Sequence, residues 1–207
     1  MVVTATRTEK KDLDIPAVVE VYSEEQIEKS SAANAYDVLQ NTLGVNTQSQ
    51  GFNGTGMGTM TSKVMIRAVE KGTLVLVNGV PMNQDGKYNL EDIPTESIEK
   101  IEVVKGGGSV LYGSEATGGV INIITKKTMS NTVKVAAGNF GRQRYNVSAG
   151  ADKFNVVAGY EHRGFADKMS GPSPTSTSRD MYDYGKGERK SILWDWKMLD
   201  GLTFTHS

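Results

Sequence analysis

The 207 residues carry 23 Lys and Arg against 24 Asp and Glu, a net charge of −1, and no cysteine. That balance supplies no basic field to hold nucleic acid, and it excludes disulfides, thiolate metal sites and cysteine nucleophiles. With only His162 and His206, a histidine-rich metal site is excluded as well. No apolar run approaches the roughly 18–20 residues of a membrane-spanning helix. Val2-Val3-Thr4-Ala5, followed by Arg7 and Glu9, lacks the apolar stretch of a secretory leader, so the chain reads as cytosolic or as starting at a mature end. The 23 glycines are spread along the chain and point to tight turns and β-structure.

The first half mixes helix and strand signals. Ala17 to Tyr22 reads as a strand, and Ser23 with Gln26 three residues on is a capping box that opens a short helix. Asn34 caps a second short helix with Asp37 at its third position and Tyr36, Val38 and Leu39 as its apolar residues; Gly44 reads as its left-handed end. Short strands are predicted at Val45–Gln48, Val64–Ile66 and Thr73–Val77. Asn78-Gly79 before Val80 signals a hairpin. Thr95 reads as the cap of a one-turn helix with Glu96 and Ser97, ahead of a strand over Ile98–Val104. Val120–Ile124 is a continuous apolar strand, as expected when both faces are covered.

From residue 128 the grammar changes. Residues 1–127 hold 12 basic and 16 acidic side chains, net −4; residues 128–207 hold 11 and 8, net +3, and the two sum to the −1 of the whole. The period is now two. Val133 and Val135, then Tyr145 and Val147, then Phe154, Val156, Ala158 and Tyr160, then Ile192, Trp194 and Trp196 alternate with polar or small residues; Val157 is the exception. Leu202 and Phe204 continue the pattern. In water such a sheet is packed on its apolar side; in an outer membrane it is a barrel wall with lipid outside. Arg163 to Glu188 reads as one long polar loop.

Several segments in order resemble one family. Val2-Val3-Thr4-Ala5-Thr6-Arg7 is similar to a TonB box, and Asp37-Val38-Leu39 with Leu43-Gly44-Val45 to a helix-then-"PGV" segment. Ile66-Arg67 is similar to "IRG", and Thr73 to Pro81 to a "VLVDGVP" hairpin. Ile93-Pro94 to Val103 is similar to "IP…IERIEV", and Lys105 to Ser114 to "KGPGSALYGS". Gly118 to Thr125 reads "GGVINIIT". The chain thus resembles the plug domain of TonB-dependent outer-membrane receptors over about residues 1–127. Residues 128–207 resemble the N-terminal strands of the barrel, incomplete here. It departs from the pattern at Leu43 and Gly107 (commonly proline), Ala68 (glycine), Asn78 (aspartate) and Lys100 (arginine).

The resemblance implies an α+β plug with a small mixed sheet and short helices, then the first antiparallel strands of a barrel of about 22 strands. It implies import across the outer membrane of a scarce nutrient complex of the ferric siderophore, haem or cobalamin class, with the plug in the barrel lumen and the N-terminus periplasmic. The implied partners are the C-terminal domain of TonB at Val2, Val3, Thr4 and Ala5, outer-membrane lipid, and a small metal chelate or cobalamin as ligand. The implied ligand contacts lie in two apical loops, at Asn53, Met57, Met60, Asn83, Asp85 and Tyr88, and the implied plug–barrel contacts are Arg67 and Lys100. No cofactor, metal or catalytic residue is expected, and no enzyme: neither paired carboxylates nor a nucleophile elbow occurs. The rival expectation is a soluble plug-like binding module with a water-buried antiparallel sheet.

Overall fold

The computed structural model describes residues 2–3, 10–11, 18–48, 63–67, 72–82, 90–106, 116–164, 167–172, 179–184, 187–199 and 202–206. These fall into two compact units, one up to Lys127 and one from Thr128 onward.

In the first unit, β1 (Val2–Val3) pairs antiparallel with β2 (Lys10–Lys11). Then come β3 (Val18–Ser23), α1 (Glu24–Lys29), α2 (Ala35–Gln40), β4 (Val45–Gln48), β5 (Lys63–Ile66), β6 (Thr73–Val77) and β7 (Val80–Pro81). Two one-turn 3-10 helices, Leu90–Asp92 and Thr95–Ser97, precede β8 (Ile98–Lys105) and β9 (Gly119–Thr125). The main sheet runs β3-β8-β9-β6-β7, with β9 and β6 parallel and every other pair antiparallel.

The local chemistry explains these elements. The Gln26 N–H donates to Ser23 Oγ at 3.4 Å, and the Ser23 N–H donates to Gln26 Oε1 at 3.0 Å. That closes the capping box of α1. The Asp37 N–H donates to Asn34 Oδ1 at 3.0 Å, and the Asp37 carboxylate accepts from the Ala33 N–H at 3.0 Å. Helix α2 ends at Gln40 with Asn41 as its C-cap, so Gly44 (φ +69°) serves the turn into β4 and is not the helix cap. Asn78 (φ +51°) and Gly79 (φ +81°) both take the left-handed conformation that a two-residue hairpin demands. Thr95 differs from its expected capping role. It lies inside the turn, Pro94 is the N-cap, and the Thr95 hydroxyl instead donates to the Ala32 carbonyl at 3.2 Å.

Both faces of the sheet are covered. One cluster joins Ile27, Leu39, Val75, Ile101, Val103, Ile121 and Ile123, so α1 and α2 pack on that side. The other joins Leu74, Leu76, Val104, Ala116 and Val120. Two-sided burial is why β9 reads as an apolar run with Asn122 as its one polar interior residue.

The second unit is antiparallel. Its strands are β10 (Thr132–Gly138), β11 (Arg142–Ala151), β12 (Phe154–Arg163), β15 (Gly187–Leu199) and β16 (Leu202–His206), hydrogen-bonded in that order. The expected long loop holds a hairpin of its own, β13 (Asp167–Pro172) with β14 (Arg179–Tyr184). With Gly171, Pro172 and Asp180 among them, Met169, Met181 and Tyr182 make no strict alternation, so no periodic signal marks these strands.

The register places Val133 opposite Val147, Val135 opposite Tyr145, Tyr145 opposite Tyr160, Ala158 opposite Ile192 and Phe154 opposite Trp196. This apolar face is the exposed one: Val133 is 72% accessible, Ile192 56% and Trp196 45%. The polar face is the buried one, with Asn146, Ser148, Asn155, Glu161 and Asp195 all shielded. That is the reverse of the water-buried sheet the rival expectation requires. Aromatic rings border the apolar band at both ends. Tyr145 stacks on Tyr160 with centroids 6.3 Å apart, and Phe154 stacks on Trp194 at 6.5 Å. The six-residue step from Phe154 to Tyr160 is about 20 Å of strand. Val157 breaks the alternation because it joins Leu193 and Met129 in a small cluster on the polar face. There the Met129 N–H donates to Asn155 Oδ1 at 2.9 Å. A Cβ on Gly150 would stand 2.0 Å from the Met129 carbonyl oxygen, so only glycine admits this crossing.

Two outcomes follow. Residues 1–127 alone are expected to give a dispersed amide spectrum in water without detergent; a collapsed spectrum would show that the two-sided core is insufficient. Residues 1–207 without detergent are expected to scatter light as a larger particle than 1–127. Equal, monomeric masses would mean the apolar face is covered in solution.

Candidate functional site

Of the expected site residues, Thr4, Ala5, Asn53, Met57, Met60, Asn83, Asp85 and Tyr88 lie outside the described residues. Val2 and Val3 form β1, with Val2 opposite Lys11 and Val3 opposite Lys10. Their extended backbone is thus already engaged in a two-residue ladder, the kind of short pairing that is marginal on its own.

Arg67 follows β5 with φ +55° and is exposed. Its N–H donates to the Gly44 carbonyl at 3.0 Å, and its Nη1 lies where a Cβ on Gly106 would stand only 2.9 Å away. Arg67 therefore spans the α2–β4 turn and the end of β8. Lys100 has a partner within its own strand: its Nζ is 2.8 Å from Oε1 of the fully buried Glu102. Asn78 shows why an amide serves where aspartate is commoner. Its Nδ2 donates to Thr125 Oγ1 at 2.8 Å while its Oδ1 accepts from the Thr125 N–H at 2.9 Å. The neighbouring Gly79 N–H donates to Asn122 Oδ1 at 3.1 Å.

Lys105, the last residue of β8, ties together β8, β3 and the α2–β4 turn. Its ammonium donates to Glu20 Oε1 of β3 at 2.5 Å and to the Leu43 carbonyl in the α2–β4 turn. The Lys105 side chain is 9% accessible and that of Glu20 29%. Glu20 also accepts from the Tyr22 hydroxyl at 3.2 Å. Burial pushes the Tyr22 phenol above its ordinary value; a hydrogen bond with Thr42 works against this, and the charge and hydrogen bond of Glu20 add to it. Nothing in the local sequence signals this clamp, because its members are 62 and 85 positions apart. In the second unit, a group on the polar face was equally unanticipated. Glu161 Oε1 accepts from Nε of Arg142 at 2.7 Å and from Nε of Arg163 at 3.1 Å. Here a signal did exist, since the period of two puts these residues on one face.

A mixed sheet with two short helices, followed by antiparallel strands whose apolar side faces outward, defines the class: a plug joined to membrane-type β-strands. The family model described as "TonB-dependent Receptor Plug Domain" matches residues 11–120, and the chain belongs to that family. It is 35% identical over 153 residues to the vitamin B12 transporter BtuB of Vibrio vulnificus strain CMCP6, covering 72% of this chain and 24% of that protein. It is 33% identical over 171 residues to the BtuB of Vibrio cholerae serotype O1, covering 78% and 27%. Among solved structures, the ferripyoverdine receptor of the outer membrane of Pseudomonas aeruginosa superposes with a TM-score of 0.64 at 17% identity, over 99% of this chain and 26% of that one. The siderophore receptor PirA of Acinetobacter baumannii superposes with a TM-score of 0.51 at 25% identity, over 89% and 30%. The chain thus spans about a quarter of the length of the relatives it matches. Those relatives are named as transporters and receptors.

Glu20→Gln in residues 1–127 is expected to cost about 1–3 kcal/mol, because the Lys105 charge keeps its burial and loses its counter-ion. Urea unfolding measures this, and Glu20→Gln with Lys105→Met together is expected to cost less than the sum of the two single changes. Tyr22 adds a pH dependence. Its raised value in the fold means its contribution is intact below pH of about 10 and is lost as pH rises through the folded value. The stability difference between the native sequence and Tyr22→Phe is therefore expected to shrink on going to strongly alkaline buffer.

Proposed function

We propose that this chain is the plug, residues 1–127, and the first wall strands, residues 128–207, of an outer-membrane importer whose barrel has about 22 strands. The plug occupies the lumen, the N-terminus faces the periplasm, and the cargo is a ferric siderophore, haem or cobalamin. One observation carries the reading: an antiparallel sheet that exposes Val133, Val135, Val147 and Ile192 while burying Asn146, Asn155 and Asp195. Lipid accommodates such a face and water does not. Burying an aliphatic or aromatic side chain is worth about 1.5–3 kcal/mol, and the flanking aromatic rows match the girdles of membrane barrels. The relatives named as vitamin B12 transporters favour cobalamin within this set.

The N-terminal residues Val2 to Ala5 act by strand addition to the C-terminal domain of TonB, which gains backbone hydrogen bonds from an extended peptide. For Val2 and Val3 this means exchanging the β2 ladder for a partner strand. Arg67 and Lys100 seat the plug through its own unit and through carboxylates of the wall. Asn53, Met57, Met60, Asn83, Asp85 and Tyr88 supply ligand contacts from the apical loops. The chain's own part is gating and binding, with no bond made or broken in the cargo.

Uptake of radiolabelled cyanocobalamin and radio-iron chelates by cells carrying the complete receptor tests this. Uptake of at least one is expected with TonB and is expected to stop without it. Val3→Pro, which removes a ladder donor, is expected to abolish uptake while surface binding persists. Uptake that is undiminished without TonB would overturn the reading.

A further inference from the structure

We infer that residues 129–132 form a strap across the polar face of the second unit's sheet, and that this strap takes the pull arriving along the chain before it reaches the ladder between β10 and β11. This rests on the importer reading, in which TonB draws on the N-terminal end of the chain. The strap is fixed at each of its residues. The Met129 N–H donates to Asn155 Oδ1 of β12 at 2.9 Å, and its buried side chain packs with Val157 of β12 and Leu193 of β15. The Ser130 carbonyl accepts from Ser148 Oγ of β11 at 2.8 Å, and Asn131 Oδ1 accepts from the Gly150 N–H at 2.9 Å. Thr132 Oγ1 is 2.6 Å from Ser148 Oγ. Consecutive residues thus grip the neighbouring strands β11, β12 and β15. Gly150 is the seat: a Cβ there would stand 2.0 Å from the Met129 carbonyl oxygen and 2.8 Å from its carbonyl carbon and its nitrogen.

The chain enters the strap by a short connection. Lys126 is tied into the first unit, its N–H donating to the Ser97 carbonyl at 2.8 Å and its ammonium lying 2.6 Å from Glu24 Oε1. Met129 is tied into the second unit. Pull that has drawn out the chain up to Lys126 therefore meets Met129 before it meets β10. Without the strap it would fall on Thr132 and Ser148, the first pair of β10. Among the described residues β10 has β11 as its one ladder partner, so opening from that pair would detach the strand from this side of the wall. Met129 sends the load elsewhere. Withdrawing its side chain uncovers apolar surface, and close-packed contacts are lost over a very short displacement. The load passes to β11, β12 and β15, whose ladders run along both sides of β12 from Phe154 to His162. Methionine suits the place, because its unbranched side chain fills an irregular gap on an otherwise polar face.

Two measurements on the complete receptor test the strap. In the first, single receptors in a lipid bilayer are drawn out from the N-terminal end at constant load. The chain up to Thr128 spans about 430 Å when extended, and a pause at that extension is expected. Met129→Ala is expected to shorten the pause about tenfold or more, since truncating a buried side chain costs both burial and packing, and Gly150→Ala is expected to abolish it. A pause of native length in both variants overturns the strap, and so does a native receptor that shows no pause. In the second measurement, cells carrying the receptor are exposed to vancomycin, which an intact outer membrane excludes. The Gly150→Ala receptor is expected to admit it in cells with TonB and to exclude it in cells without TonB, where nothing pulls. Entry regardless of TonB means a wall that is simply weakened, and overturns the load-bearing role of the strap. Exclusion in both kinds of cell overturns it as well. Should Gly150→Ala fail to reach the membrane, Met129→Ala takes its place. A native receptor that takes up no cargo counts against the importer reading, while the length of the pause still decides the strap.

Discussion

A strand whose side chains alternate can present only one kind of surface on each side, and in the second unit the side turned outward is the greasy one. Every other feature there follows from that choice. The buried side must satisfy amides, hydroxyls and carboxylates, and it does so through Met129 to Asn155, Thr132 to Ser148 and the arginine contacts of Glu161. The outward side needs no such partners, and its aromatic rings gather at the two ends of the band instead of filling a core. A soluble sheet solves the opposite problem, so the same period of two has opposite meanings in the two solvents.

The first unit obeys a different constraint. Its main sheet is shielded on both sides, so a polar residue within it must find a partner in the sheet or in a turn. Asn122 meets the Gly79 N–H, Asn78 meets Thr125, and Lys105 meets Glu20 and Leu43. These contacts tie turns to strands and hold the hairpin, the α2–β4 turn and the sheet edge in fixed relation.

Much of this was readable from the residues. The caps at Ser23 and Asn34, the hairpin at Asn78-Gly79 and the mainly apolar run at Val120–Ile124 are local devices, and each acts where its own residues stand. What escaped was non-local or unpatterned. Thr95 has the chemistry of a cap, but its hydroxyl is taken by Ala32, 63 positions away. The β13 and β14 segments mix charged residues, Gly171 and Pro172 with Met169 and Met181 in no strict alternation, and so resemble a loop. The alternation exposed which residues share a face, and the residues alone left open which face would be hidden; burial of Asn155 and exposure of Val133 decide it. The candidate site was legible in part. Arg67 and Lys100 could be placed beside strands, and the glutamate that Lys100 meets stands two residues on in the same strand, but the turn that Arg67 spans depends on how distant segments come together.

The position of β3 has a mechanical consequence. It is an edge strand, joined only to β8 within its sheet, and its first pair is Val18 with Lys105. Tension on the chain ahead of Val18, where it acts across the strand direction, loads these pairs one after another, like a zip, and not all together as in shear. Little force is needed per step, until the opening reaches Glu20 and must separate it from Lys105. At that point the ammonium loses its counter-ion and keeps only the Leu43 carbonyl, so yielding of the strand and loosening of the α2–β4 turn become consecutive events. The element reached through that turn is β4, whose far end leads to residues 49–62.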